Sequence, residues 1–270
     1  ECSSSRMHSS ITGPTSGQYP GARLRDKDGV RWFESSIRHL PYNGVIRTHV
    51  AEQQAADAVI ERTLATFRAR DVPVLWVQRA SDTPLDLGHR LAIKGLDLVE
   101  AVTGMDLDLE GWSPDSRTDD VEVVDVEAPD APPDGFRHYL ELLRTYWSIP
   151  EDDRHLLEWL NDYFSGKRPP GRRLVVYADG EPVAKAFMNL QDVPACVAIN
   201  GVAVKPEARG RGVATALMTA AISMGQSAGA RRMVLHSSPM AVSLHRRMGF
   251  TERCHFPVWA TAALFGTHHH

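Results

Sequence analysis

Along the chain, stretches with apolar residues every three or four positions are separated by short runs in which apolar residues alternate or cluster. The first pattern predicts amphipathic helices and the second predicts strands. In the N-terminal part, residues 44–50 (GVIRTHV) read as a strand and 52–70 as a helix. Residues 72–78 (VPVLWVQ) read as a second strand, 85–96 as a helix closing on Gly95-Leu96, and 104–109 as a last strand. Residues 111–135 are rich in Pro, Asp and Gly around the alternating VEVVDV, which reads as a linker and the first strand of a new domain. Helices follow at 136–147 and 151–164. Two strands within 172–190 are joined by a turn at 178–181, and after the turn QDVP comes a strand at 195–204. A glycine-rich bend at 209–212 opens a long helix at 213–227. A strand at 231–236, a short helix at 239–248 and a last strand toward Trp259 complete the order. The fold class is mixed α/β.

The order strand, helix, strand, helix, Gly, apolar residue occurs twice, at 44–96 and 202–250. This reads as a degraded structural repeat. In the first copy Ala51-Glu52 stands where the second has its glycine-rich bend. The expected division is a flexible segment at 1–19, an N-terminal domain at 20–112, linker and first strand at 113–134, a second domain at 135–262, and a tail at 263–270 whose final histidines read as a purification tag.

Composition narrows the class. With 270 residues, 43% hydrophobic and 24% charged, the chain can bury a substantial core and is neither disordered nor coiled coil. It has no run long enough for a membrane span and no secretory leader pattern at 1–21, so a cytoplasmic protein is expected. Cys2, Cys196 and Cys254 make no disulfide framework and no pair has metal-ligand spacing, so no metal is expected. The net charge of −4 hides a polarity: residues 1–164 sum to −12 and residues 165–270 to +8. Either the C-terminal part meets an anion, or the two parts attract each other.

The chemistry concentrates at Val202–Thr215, where a strand runs into Arg209-Gly210-Arg211-Gly212 and then directly into a helix. Glycines let backbone N–H groups face a concavity, and the helix start adds unpaired amides and partial positive charge. Such a bend is a diphosphate cradle, supplemented by Arg209 and Arg211. It is neither of the two commoner phosphate loops, because it lacks both G-x-x-x-x-G-K-[ST] and G-x-G-x-x-G.

Arg209-x-x-Gly212-x-Ala214 resembles the R/Q-x-x-G-x-G/A pyrophosphate loop of the GCN5-related N-acetyltransferases. Ala241-x-x-Leu244-His245-x-x-x-Gly249-Phe250 is similar to that family's A-x-x-L-Y-x-x-x-G-F segment. The resemblance covers about 120–260, and 20–110 is similar in arrangement to the degenerate half of two-domain members. It implies a GNAT fold in two tandem domains, the C-terminal one catalytic. It also implies acetyl-CoA or another acyl-CoA as donor, and an amine of a small molecule or peptide as acceptor. Pantetheine would lie along Val202, Ala203 and Val204, and the pyrophosphate on the amides of Arg209, Gly210, Arg211, Gly212, Val213, Ala214 and Thr215. A backbone N–H near Val202 would hold the tetrahedral oxyanion.

The sequence departs from the family pattern at the proton-transfer residues. His245 stands where the family has its tyrosine acid; at an ordinary pKa near 6.5, about a quarter of it is protonated at pH 7. The strand 195–204 has no carboxylate for a base; Asn200 can orient a water, and His236 can accept a proton. His138, His155, Glu141 and Glu158 are candidates for lining the acceptor site, and the basic loop 167–173 for meeting an anion. Two rival readings follow from these departures: an anionic macromolecular donor (carrier protein or aminoacyl-tRNA), and a CoA-binding sensor without turnover.

Overall fold

The computed structural model describes residues 23–114, 121–150, 171–190 and 195–261. The segment 1–19, the helix expected at 151–164 (with His155 and Glu158), residues 167–170, the turn 191–194 and the tail from 263 lie outside them. In chain order the elements are β1 (Arg23–Lys27), β2 (Val30–Glu34), β3 (Gly44–Thr48), α1 (Ala56–Arg68), β4 (Leu75–Val77), α2 (Leu87–Ile93), β5 (Leu96–Asp108) and β6 (Glu122–Asp125). They continue with α3 (Gly135–Tyr146), β7 (Arg172–Ala178), β8 (Glu181–Asn189), β9 (Cys196–Val204), α4 (Val213–Ser227), β10 (Arg232–Ser237), α5 (Val242–Arg247) and β11 (Thr251–Thr261). The mixed α/β class holds. No helix among the described residues is long and apolar enough to cross a membrane.

The chain forms two compact units. As far as described, one holds residues 105–114, 121–150, 171–190, 195–236 and 241–252, and the other holds 23–104, 237–240 and 253–261. In the latter unit β1, β2 and β3 pair antiparallel, β4 joins β3 in parallel, and β11 closes antiparallel on β4 through Val258↔Val77 and Trp259↔Trp76. The last described strand thus joins the sheet that contains β1. On α1, Val59, Ile60, Thr63, Leu64 and Phe67 fall on one face by helical spacing and are buried. Trp76 lies under them, fully buried, its Nε1 donating to Thr48 Oγ1 at 3.0 Å. The hairpin β1–β2 was not predicted. All five β1 residues are exposed, so no apolar alternation marks the strand. Its turn is nevertheless legible: Asp28 (φ 51°) and Gly29 (φ 80°) both take the left-handed region that two-residue hairpins require.

In the other unit β6, β7, β8 and β9 pair antiparallel in that order, and β10 joins β9 in parallel. The Asp179-Gly180 turn between β7 and β8 stands where the sequence placed it, with φ of 54° and 82°. Leu174, Val176, Ala184, Ala186 and Met188 share the core cluster with Leu217, Ala221 and Ile222 of α4. The alternate residues Arg173 and Lys185 meet the aromatic rings of α3 instead, and Arg173 also lies over the ring of Phe187. Side chains alternate along a strand, so α3 and α4 cover opposite faces of this sheet.

Ile60→Ala should cost about 2–5 kcal/mol by leaving a cavity under α1, whereas Leu85→Ser, at a position 91% exposed, should stay within about 0.5 kcal/mol. Urea unfolding of the two variants beside the parent chain measures both.

Candidate functional site at the fork of β9 and β10

The site is produced by one extra residue. Between Lys185 and Phe187, β8 advances two positions, while its partner β9 advances three, from Asn200 to Ala203. That count is a β-bulge, and Gly201 supplies its left-handed residue at φ 57°. The bulge inverts the side-chain alternation: Val197 and Ile199 face the α4 core before it, and Val202 and Val204 face the same core after it. A bulged strand bends, and β9 parts from β10 at this point. The parallel register runs Arg232↔Cys196 to Leu235↔Ile199 and stops, while β9 continues for five residues held on one side by β8. The backbone of Val202, Ala203 and Val204 therefore has one edge paired and one edge open among the described residues.

At its end the open strand meets the anion loop. Lys205 N donates to Val183 O at 2.8 Å and ties the strand end to β8; a single 3₁₀ turn at Pro206–Ala208 then reverses the chain. Gly210 and Gly212 adopt φ of 74° and 78°, and Gly212 is the N-cap of α4 with no side-chain cap. The first-turn amides of α4, Val213, Ala214 and Thr215 included, are thus left to a ligand or to solvent. An open cradle and an uncapped helix start fit a diphosphate. Both arginines have local ties: Arg209 Nε donates to Val204 O at 3.3 Å, and Arg211 Nη2 to Asp179 Oδ2 at 3.2 Å. Their charge stays beside the loop, that of Arg211 offset by its exposed carboxylate partner.

Of the three residues expected to handle protons, Asn200 and His245 are buried and His236 is part-buried. Asn200 is 8% exposed, and its Oδ1 has no hydrogen-bond partner among the described residues. An orphaned buried acceptor at the fork is a site for a donor group. His236 follows Leu235, the last β10 residue paired with β9, and burial pushes its pKa down to about 4. His245 is 3% exposed on α5, with its ring edge-on to Phe250 and its carbonyl accepting from Phe250 N at 3.0 Å. Its pKa also falls to about 4, through burial. The quarter protonated at pH 7 expected from an ordinary histidine becomes roughly one molecule in a thousand. His138 donates to or accepts from Tyr177 Oη at 2.9 Å, and Glu141 pairs with Arg144.

Sequence reading passed over Lys185. It is 1% exposed, its Nζ lies 4.9 Å from the Tyr146 ring centroid and 5.7 Å from that of Tyr139, and a Cβ on Gly201 would sit 2.9 Å from that nitrogen. The signal was present: a lysine in the otherwise apolar run Val183–Met188 of a strand buried on both faces.

The histidines make stability depend on pH. Each has a folded-state pKa below its unfolded value, so between about pH 6.5 and 4 the unfolded chain binds more protons. Stability is full above that window and is lost as pH falls through it. At pH 5 each histidine should cost about 2 kcal/mol relative to pH 7. His236→Gln and His245→Phe should each flatten the profile of urea midpoints.

Residues 136–250 match the acetyltransferase (GNAT) family. No curated protein matches the chain. Among solved structures, a GCN5-related N-acetyltransferase from Kribbella flavida aligns over 93% of each chain with a TM-score of 0.66 at 15% identity. A tandem GNAT protein from the clavulanic acid biosynthesis pathway aligns over 90% of this chain and 83% of its own (TM-score 0.60, 14% identity). A GCN5-related N-acetyltransferase from Sphaerobacter thermophilus covers 86% of this chain and 76% of its own, with TM-score 0.60 and 16% identity. At these identities the structural likeness shows the fold. Residues 136–250 thus match the acetyltransferase (GNAT) family, in a chain with the fold of GCN5-related N-acetyltransferases, tandem members among them.

Proposed function

We propose that the chain is an N-acyltransferase that moves an acetyl or other acyl group from acyl-CoA to an amine of a small molecule or peptide, by direct attack in a ternary complex. The observation that carries this reading is the fork: an open strand edge, created by the Gly201 bulge, leads straight into an uncapped helix start behind two left-handed glycines. The edge at Val202–Val204 suits an extended chain carrying amides, and the loop suits a diphosphate. Pantetheine and the CoA pyrophosphate offer those two groups in that order.

In this reading the uncharged amine attacks the thioester carbon, and the oxyanion forms against a backbone N–H near Val202. Asn200 Oδ1 accepts a hydrogen bond from the incoming nitrogen or from a water that carries its proton away. His236 is uncharged at neutral pH and able to accept a proton, but a pKa near 4 makes it a weak base. His245 is too seldom protonated to serve as a cationic acid, and the departing thiolate, with a parent pKa of about 8.5, is stable enough to leave without one. The neutral histidines and the absence of a carboxylate from β9 favour a second reading, a CoA-binding sensor without turnover.

Calorimetric titration with acetyl-CoA should show micromolar binding, abolished by Gly212→Glu, which puts a carboxylate and a strained φ into the cradle. Unchanged affinity in that variant sinks the loop assignment. Thiol release with a panel of primary amines separates enzyme from sensor, and His245→Phe should alter neither CoA affinity nor turnover by more than about tenfold.

A further inference from the structure

We propose that Lys185 is a self-acylation site, its ε-amine taking the acyl group of a bound acyl-CoA when no other acceptor competes. This rests on the acyl-CoA reading above. The geometry comes from the bulge: Nζ lies against Gly201, the residue at which β9 parts from β10 and which immediately precedes Val202, where the thioester oxygen is assigned. The amine is held under the rings of Tyr139 and Tyr146. Confinement beside a bound thioester replaces a bimolecular encounter with a positioned one.

Among the described residues, no carboxylate on the packed elements is directed at this amine. On α3, Glu141 pairs with Arg144, and His138 meets Tyr177. On β7, Arg172 pairs with Asp125, and Arg173, which shares the Tyr139 ring with Lys185, pairs with Glu127. Helix α4 carries no ionisable side chain, and β9 carries only Cys196. Burial alone lowers the ammonium's pKa to about 7, so roughly half the molecules hold a free amine at neutral pH.

In the reaction the uncharged nitrogen attacks the thioester carbonyl carbon, a C–N bond forms and the C–S bond breaks. The proton shed by nitrogen ends on the CoA sulfur, giving Nε-acyl-lysine and the free thiol with no further reactant. The product is neutral, so acylation removes a buried amine's tendency to charge and replaces it with an amide among aromatic rings. It also blocks the fork next to Gly201, so it would act as a stop on turnover.

The test is incubation of the full chain with acetyl-CoA in an amine-free buffer, read by intact mass and peptide mapping. The chain has only five lysines, so assignment is direct. One acetyl group on Lys185 is expected, forming about tenfold faster at pH 8 than at pH 6. It should be absent from Lys185→Met, whose acetyl-CoA affinity by calorimetry stays unchanged, and suppressed in Gly212→Glu. Acetyl-CoA binding without modification of Lys185 overturns the proposal and leaves the donor reading standing. Equal acetylation of Lys185 in Gly212→Glu also overturns it, because the donor would then act from solution. Absence of acetyl-CoA binding overturns the donor reading, and this proposal with it.

Discussion

The extra residue in β9 is the constraint on which the site depends. A regular antiparallel pair with β8 would keep β9 flat and in register with β10 to its end, and the sheet would offer no edge in its interior. Inserting one residue forces a bend, and a left-handed φ of 57° makes glycine the fitting residue at that point. Three features follow from the single insertion. The pairing with β10 ends at Ile199, the valines at 202 and 204 return to the core face, and the backbone opposite β8 is left open just before the glycine loop. The nearness of Lys185 Nζ to Gly201 shows the same constraint from the other side: a Cβ there would collide with the amine.

Around this fork the electrostatics differ from a site that works by fixed charge. His236 and His245 are held neutral by burial, Asn200 is uncharged, and Lys185 sits near the midpoint of its titration at pH 7. Groups fixed in orientation by the fold, the backbone amides of β9 and of the first turn of α4, are what remains to stabilise developing or bound negative charge. Preorganised amides cost little reorganisation when charge appears, so such a site needs no permanent cation at its centre. The arginines of the loop stay at the exposed rim, tied to Val204 O and Asp179.

What the sequence disclosed and what it withheld divide along physical lines. The helices at 56–68, 135–146 and 213–227 lay open because one side of each is buried, which imposes a period on the residues, and the strands between 172 and 204 because burial leaves short, nearly continuous apolar runs. The glycine-rich bend was legible for a different reason: its chemistry depends on backbone conformation, and glycine advertises conformation directly. The exposed strand β1 imposes no apolar pattern and escaped, as did the first residues of β5, where only Thr103 of 97–103 is buried. The bulge escaped although Asn200-Gly201 in mid-strand is its signature. Burial of His245 was invisible because an ionisable residue on a short helix reads as surface until its neighbours are known.

The charge division along the chain shows how a linear count misleads. Residues 165–270 carry a net +8, which points to an anionic partner when the sequence is read as two halves. In the fold, Arg172 pairs with Asp125, Arg173 with Glu127 and Arg232 with Asp106, and Arg246 pairs with Glu252. The first three carboxylates come from the half counted as acidic, yet they belong to the same compact unit as their arginines. Three of the eight excess charges are therefore neutralised internally, that of Arg173 deeply buried beneath Phe136, Tyr139 and Phe187. A large anionic donor such as a carrier protein or tRNA would draw on exposed positive charge, and this pairing takes part of that charge away. A diphosphate held mainly by backbone amides, as proposed for the loop at 209–215, needs far less.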